Sequence, residues 1–197
     1  MGRAADPKVQ RWQSLVDQPK SIFGWPTWTT LPVTRNTRAN AAKAGVKPFW
    51  SKEAERMETI VQLADVDGVS LEGARVRIMA WSQLPLADIT MTFEVLDGDR
   101  WVCISRIDFL PPGPHPNVHW KQFNLEPSIN GSHIHTCKDN GRLGLDAFTP
   151  RRNLPNAVPL SEEPLSFRDM LAVAANFYNI DGLGDITPPE WNESLSW

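Results

Sequence analysis

Hydrophobic positions along this chain change their period several times, and each change marks an element. Residues 1 to 6 carry no periodic pattern. Asp6-Pro7 followed by Val9, Trp12, Leu15 and Val16 supplies a cap, a proline at the first helical position and an apolar stripe, which predicts a helix ending near Asp17. From Pro19 to Pro32 aromatic residues alternate with breakers, predicting an extended arm whose Phe23, Trp25 and Trp28 plug into the core or a partner. The alanine-rich stretch 36 to 45, closed by Gly45, reads as a surface helix bearing a basic cluster of Arg35, Arg38, Lys43 and Lys47. Ser51 can cap a further helix running through Met57, Ile60, Val61 and Ala64.

The period then drops to two. Ala74 to Trp81, Ile89 to Leu96 and Trp101 to Phe109 are rich in β-branched and aromatic residues, and Asp97-Gly98 marks a tight hairpin, so an antiparallel meander is expected. Strict alternation puts Trp101, Cys103, Ser105 and Ile107 on one face and Val102, Ile104, Arg106 and Asp108 on the other. The prolines between Leu110 and Asn117 hold His115 on a stiff loop. Ser132 to Lys138 reads as a strand, with Asp139-Asn140-Gly141 as the turn of a second hairpin leading into Leu143 to Phe148. Ser166 and Asp169 open a last helix, with Phe167, Met170, Leu171, Ala174, Phe177 and Tyr178 at helical spacing.

These elements give an α+β class: an antiparallel β-sheet, made of a meander plus a second hairpin, packed by helices and flanked by irregular arms rich in Pro and Trp. Residues 1–70 form a helical region with an aromatic arm, 71–182 the α+β core, and 183–197 a tail. The 197 residues, 41% hydrophobic, suffice for one globular core. A net charge of -3 argues against coating nucleic acid by bulk charge and leaves a local basic groove open. Two cysteines, no leader pattern and no long apolar run point to a reduced, cytoplasmic protein that does not enter a membrane.

The chemistry concentrates in one stretch. All four histidines, His115, His119, His133 and His135, lie between residues 115 and 135. On an extended strand His133, His135 and Cys137 would share a face, where His115 or His119 could complete a site for a divalent metal, zinc fitting the donor types best. Asp108 could add a carboxylate. Without a metal, a histidine pair flanked by Arg106, Lys121 or Arg142 could act as acid and base on a phosphodiester, RNA being suited because its own hydroxyl is a nucleophile. No phosphate-binding loop, dinucleotide fingerprint, nucleophile elbow or deaminase signature is present. Asp65-Val-Asp67-Gly lacks the remaining ligands of a calcium loop and reads as a turn. Arg151 and Arg152 sit in a Pro-rich loop that could meet phosphate.

Arg106-x-Asp108, Pro114-His115-Pro116-Asn117, His133-x-His135 and the helix Ser166-Phe167-x-Asp169-x-Leu171, ending in Asn179-Ile180, follow one another in an order that resembles an uncharacterised family of small prokaryotic and phage proteins. The resemblance spans roughly residues 90–181. It implies that Asp108, His115, Asn117, His133 and His135 belong to one site, and it carries no activity. The residues themselves suggest a small phosphodiester-cleaving hydrolase: His133, His135, His115 and Asp108 would be catalytic, and Arg106, Asn117, Lys121 and Arg142 would bind a nucleic-acid substrate. The competing class is an interaction protein of the phage or defence-inhibitor kind, binding a protein through its aromatic arms and keeping its histidines structural.

Overall fold

The structure, a computed structural model, describes residues 6–31 and 55–191. Among the described residues the fold is α+β, a mainly antiparallel sheet of nine strands with four helices packed on it. Helix α1, Pro7–Asp17, starts where expected, with the Asp6 carboxylate accepting from the Lys8 amide. The arm that follows makes two short strands, β1 (Lys20–Ile22) and β2 (Trp28–Leu31), both paired with β3. Trp28 packs on Phe167, whereas Phe23 and Trp25 are 49% and 58% exposed and do not enter the core. The alanine-rich stretch 36 to 45 lies outside the described residues.

The helix expected through Met57, Ile60, Val61 and Ala64 is instead strand β3, Arg56–Ala64. Met57, Thr59, Val61 and Leu63 are buried in alternation, and the strand pairs along its length with β4, Ser70–Trp81. Both periods fit this segment; a β-branched run, Thr59-Ile60-Val61, and an available partner strand favour the pleated one. Strands β5 (Ile89–Asp97) and β6 (Arg100–Phe109) complete the meander through a hairpin with Gly98 and Asp99 at its tip. Gly98 takes φ +66°, a conformation that a residue with a Cβ adopts only at a cost.

Strict alternation fails at one point on β6. Phe93 pairs with Ser105 but Glu94 with Cys103, so Ile104 is an extra residue in a bulge. Cys103 therefore shares a face with Arg106 and Asp108 rather than with Ser105 and Ile107.

Beyond the meander the chain forms β7 (His115–Pro116), α2 (Trp120–Phe123), β8 (Ser128–Ile129) and β9 (His133–His135), and β9 joins the sheet beside β6. The second hairpin does not form. Thr136 caps a short helix α3, Cys137–Gly141, accepting from the Asp139 amide, and residues Leu145–Phe148 are a 3-10 turn. Asn140, expected in a hairpin turn, is buried with its amide bonded to the backbone N–H and C=O of Asn156. Gly141 admits the Val9 side chain of α1, which a Cβ would meet at 2.3 Å. The partner of β9 on its other side is β10, Val158–Pro159. Helix α4, Phe167–Tyr178, is capped by Ser166, and β11 (Ile180–Asp181) closes the far edge against β1.

The two faces of the sheet differ in chemistry. On one, Val61, Val76, Phe93, Ile78, Met91 and Ile107 are fully buried with Met170, Leu171, Ala174 and Tyr178 of α4 and with Val9, Trp12 and Val16 of α1. The Tyr178 hydroxyl donates to the Met91 carbonyl at 2.9 Å. On the other, two neighbouring rungs read Ile60, Arg77, Thr92, Arg106, His135 and Glu58, Met79, Thr90, Asp108, His133 across five strands. Glu94 on that face is buried and held by Arg75 and Arg77, the bridge to Arg75 spanning 2.7 Å. Among the described residues no helix is long and apolar enough to cross a membrane.

Candidate metal centre

His133 and His135 face the same side of β9, as their spacing predicted, because the strand pairs in register with Asp108 and Arg106 of β6. Cys137 does not continue that face. The turn into α3 buries its thiol near the Val9 carbonyl, and burial pushes the thiol up to about 12, so it is no ligand here. The third histidine is His115. Its ring centroid lies 5.0 Å from that of His133 and 4.6 Å from that of His135, and one nitrogen from each ring falls within 4.8 Å of the others. His119 is not part of the cluster; it starts α2 and packs edge-on to Phe123. Both cysteines are free.

Each of the three rings is tied to a backbone carbonyl. His133 Nδ1 donates to Gly131 at 2.9 Å, His135 Nδ1 to Leu154 at 2.7 Å, and His115 Nε2 approaches Pro155 at 3.4 Å. A carbonyl only accepts, so it fixes the proton on that nitrogen and leaves the other nitrogen of a neutral ring as a lone pair, the form in which histidine binds a metal. Leu154 delivers its carbonyl from a left-handed backbone with φ +58°, unusual for a leucine, while its side chain is fully buried. Strain of this kind persists only where the surroundings enforce it.

Asp108 stands opposite the other nitrogens of two of these rings: its Oδ2 lies 3.4 Å from His133 Nε2 and 3.2 Å from His135 Nε2. The Thr90 hydroxyl donates to its other oxygen at 2.9 Å. Burial raises the Asp108 carboxyl, but hydrogen bonds donated by His133 and His135, which those rings can give when protonated on Nε2, and the Arg106 guanidinium outweigh burial and hold it well below the usual carboxylate range. Burial lowers His135, and burial together with the neighbouring rings lowers His115 to about 4, so both are neutral at neutral pH. Lone pairs and a carboxylate this close repel unless a positive charge lies among them. Arg106 supplies part of it, with Nη2 2.8 Å from His135 Nε2 and Nε 2.8 Å from Asp108 Oδ2. The Arg106 Nε contact is not aligned as a hydrogen bond, and His133 receives nothing from this guanidinium. The histidine triad could therefore hold a metal ion.

The remaining expected site residues lie elsewhere. Asn117 is a buried brace: its amide donates to the carbonyls of Glu126 and Ala157 and accepts from the Ala157 amide at 2.7 Å. Lys121 lies over the Trp120 ring and Arg142 over the Phe123 ring. The contributors that sequence reasoning missed are the Thr90 hydroxyl and the carbonyls of Gly131, Leu154 and Pro155. Carbonyls carry no sequence signal. Comparison with protein-family models, with curated proteins and with solved structures finds no match to this chain.

Proposed function

We propose that the protein is a metal-assisted hydrolase that cleaves phosphodiesters, with His115, His133, His135 and Asp108 as the metal shell. The observation that carries the proposal is the tautomer control: three clustered rings each have one nitrogen on a backbone carbonyl, and the other nitrogens of His133 and His135 lie beside the Asp108 carboxylate. The lowered His115 favours one of the two mechanisms expected from the sequence. A ring with its pKa near 4 carries no proton to donate at neutral pH, so His115 suits a ligand better than a general acid. Three imidazoles and a carboxylate favour zinc.

When bound, such an ion supplies a hydroxide near neutral pH and polarises a phosphoryl oxygen. The chain's own residues orient the rings, exclude water from His133 and His135, and place the Arg106 guanidinium where phosphate charge can be met. Elemental analysis of purified protein should find about one zinc per chain, and cleavage of RNA or DNA should stop with chelator and in His133→Ala and His135→Ala. An inactive wild type whose two variants are merely destabilised would overturn the proposal.

A second reading keeps the metal shell but makes it structural. His133 and His135 are only 2% and 0% exposed, as in closed structural sites, and the exposed Phe23 and Trp25 would then serve a protein partner.

A further inference from the structure

The two segments that leave the histidine cluster carry an unusual pairing of cations with aromatic rings. From His115 the chain runs through Asn117 into α2, where Trp120 is 39% exposed and the Lys121 ammonium sits 5.1 Å from its ring centroid. From His135 it runs through α3 to Arg142, whose guanidinium stacks 4.3 Å from the centroid of Phe123, on α2 again. The arms thus meet each other at α2. Trp120 is five residues from His115, so the patch starts within about 18 Å of the cluster.

The patch has the features of a grip for a flexible polyanion with aromatic bases. Trp120 is a part-exposed aromatic ring, Arg142 extends the Phe123 ring as a planar cation, and Lys121 and Arg142 are exposed charges. Neither Lys121 nor Arg142 is spent on a carboxylate among the described residues. A duplex hides its base faces, whereas single strands stack theirs on such rings while cations follow the backbone. Bulk charge does not explain the patch, because the chain as a whole is at -3.

We infer that Trp120, Lys121, Phe123 and Arg142 form a docking platform for single-stranded nucleic acid, which leads the strand to the histidine cluster. This inference rests on the hydrolase reading for its direction, and binding can be measured without cleavage.

The probe is a fluorescein-labelled 2′-O-methyl oligouridylate of about 12 nucleotides, titrated with the full chain and followed by anisotropy across a salt series. The wild type should bind at low salt. Trp120→Ala should weaken binding about tenfold or more through lost stacking, and Arg142→Ala and Lys121→Ala should each flatten the salt dependence by about one ion. All three positions are exposed, and melting temperatures matching the wild type would exclude misfolding as the cause. No binding by the wild type, or a folded Trp120→Ala, Arg142→Ala double variant that binds equally well, would overturn the platform; the first result would leave the patch to a protein partner.

A small diester, bis(p-nitrophenyl) phosphate, separates this inference from the hydrolase reading because it needs the cluster and not the platform. Oligonucleotide binding without diester cleavage keeps the platform and sinks the hydrolase. Diester cleavage by a wild type that does not bind the oligonucleotide does the reverse.

Discussion

Strands β3 to β6 and the short strands β9 and β10 belong to one sheet, yet their backbones are fixed by different means. In the meander, long ladders bury a continuous apolar face under α1 and α4, and many equivalent contacts share the load. Around β9 the strands are two or three residues long, and single polar side chains hold the loops: Asn117 on Ala157, Asn140 on Asn156, and Ser132 on the Leu110 amide and Glu163. Dispersed apolar packing makes a scaffold that averages over defects. Specific buried hydrogen bonds make a site that is ordered but sensitive to each one.

That contrast can be broken first at the scaffold. Leu171→Ala, a truncation in the face of α4 against the sheet, should cost about 2 to 5 kcal/mol in denaturant unfolding while leaving the proposed zinc binding by the folded protein unchanged. A midpoint equal to the wild type's would put Leu171 at the surface. At the site end, Asn117→Ala should cost less, about 1 to 3 kcal/mol, because it strands the Ala157 amide and two carbonyls. It should also weaken the proposed zinc binding by about 10-fold or more, since the loop it braces carries the carbonyls that orient His115 and His135. Lost stability with intact zinc affinity would show that the brace does not order the histidines.

Two bases, one buried and one half-buried, sharpen the comparison through pH. Burial lowers Lys20, beside the ends of α1 and α4, to about 8, and His115 to about 4. For a base lowered on folding, the unfolded chain binds more protons between the folded and unfolded pKa values, so stability rises with pH across that window. The penalty is complete below the folded value and gone above the unfolded one. Metal-free protein should therefore gain stability between about pH 4 and 6.5 through His115, and between about 8 and 10.5 through Lys20, each at no more than about 1.4 kcal/mol per pH unit. His115→Gln should reduce the slope only in the acid window, where the lowered His135 also contributes, and Lys20→Met only in the alkaline one; a slope unchanged by its substitution would assign it to other groups. The smallest effect belongs to the hairpin tip, where Gly98→Ala should cost about 1 kcal/mol with no change at the site.

What the chain announced by itself was whatever short-range pattern controls: α1 and α4 from their caps and apolar stripes, the meander from its period and its Asp97-Gly98 tip, and the shared face of His133 and His135 from their spacing. Asp108 and Arg106 were visible beside them because two residues of one strand separated by a single position must point the same way. Tertiary structure decided the rest. Met57, Ile60, Val61 and Ala64 satisfy a helix and Met57, Thr59, Val61 and Leu63 a strand; only the partner β4 selects between them, through ladder bonds that no local window contains. The Ile104 bulge, the helix at Cys137 and the removal of His119 from the cluster are likewise outcomes of packing. The carbonyls that set the tautomers of His135 and His115 come from residues 19 and 40 positions along the chain, and a backbone carbonyl is the same group in every residue. Its direction is written in the fold and not in the letter.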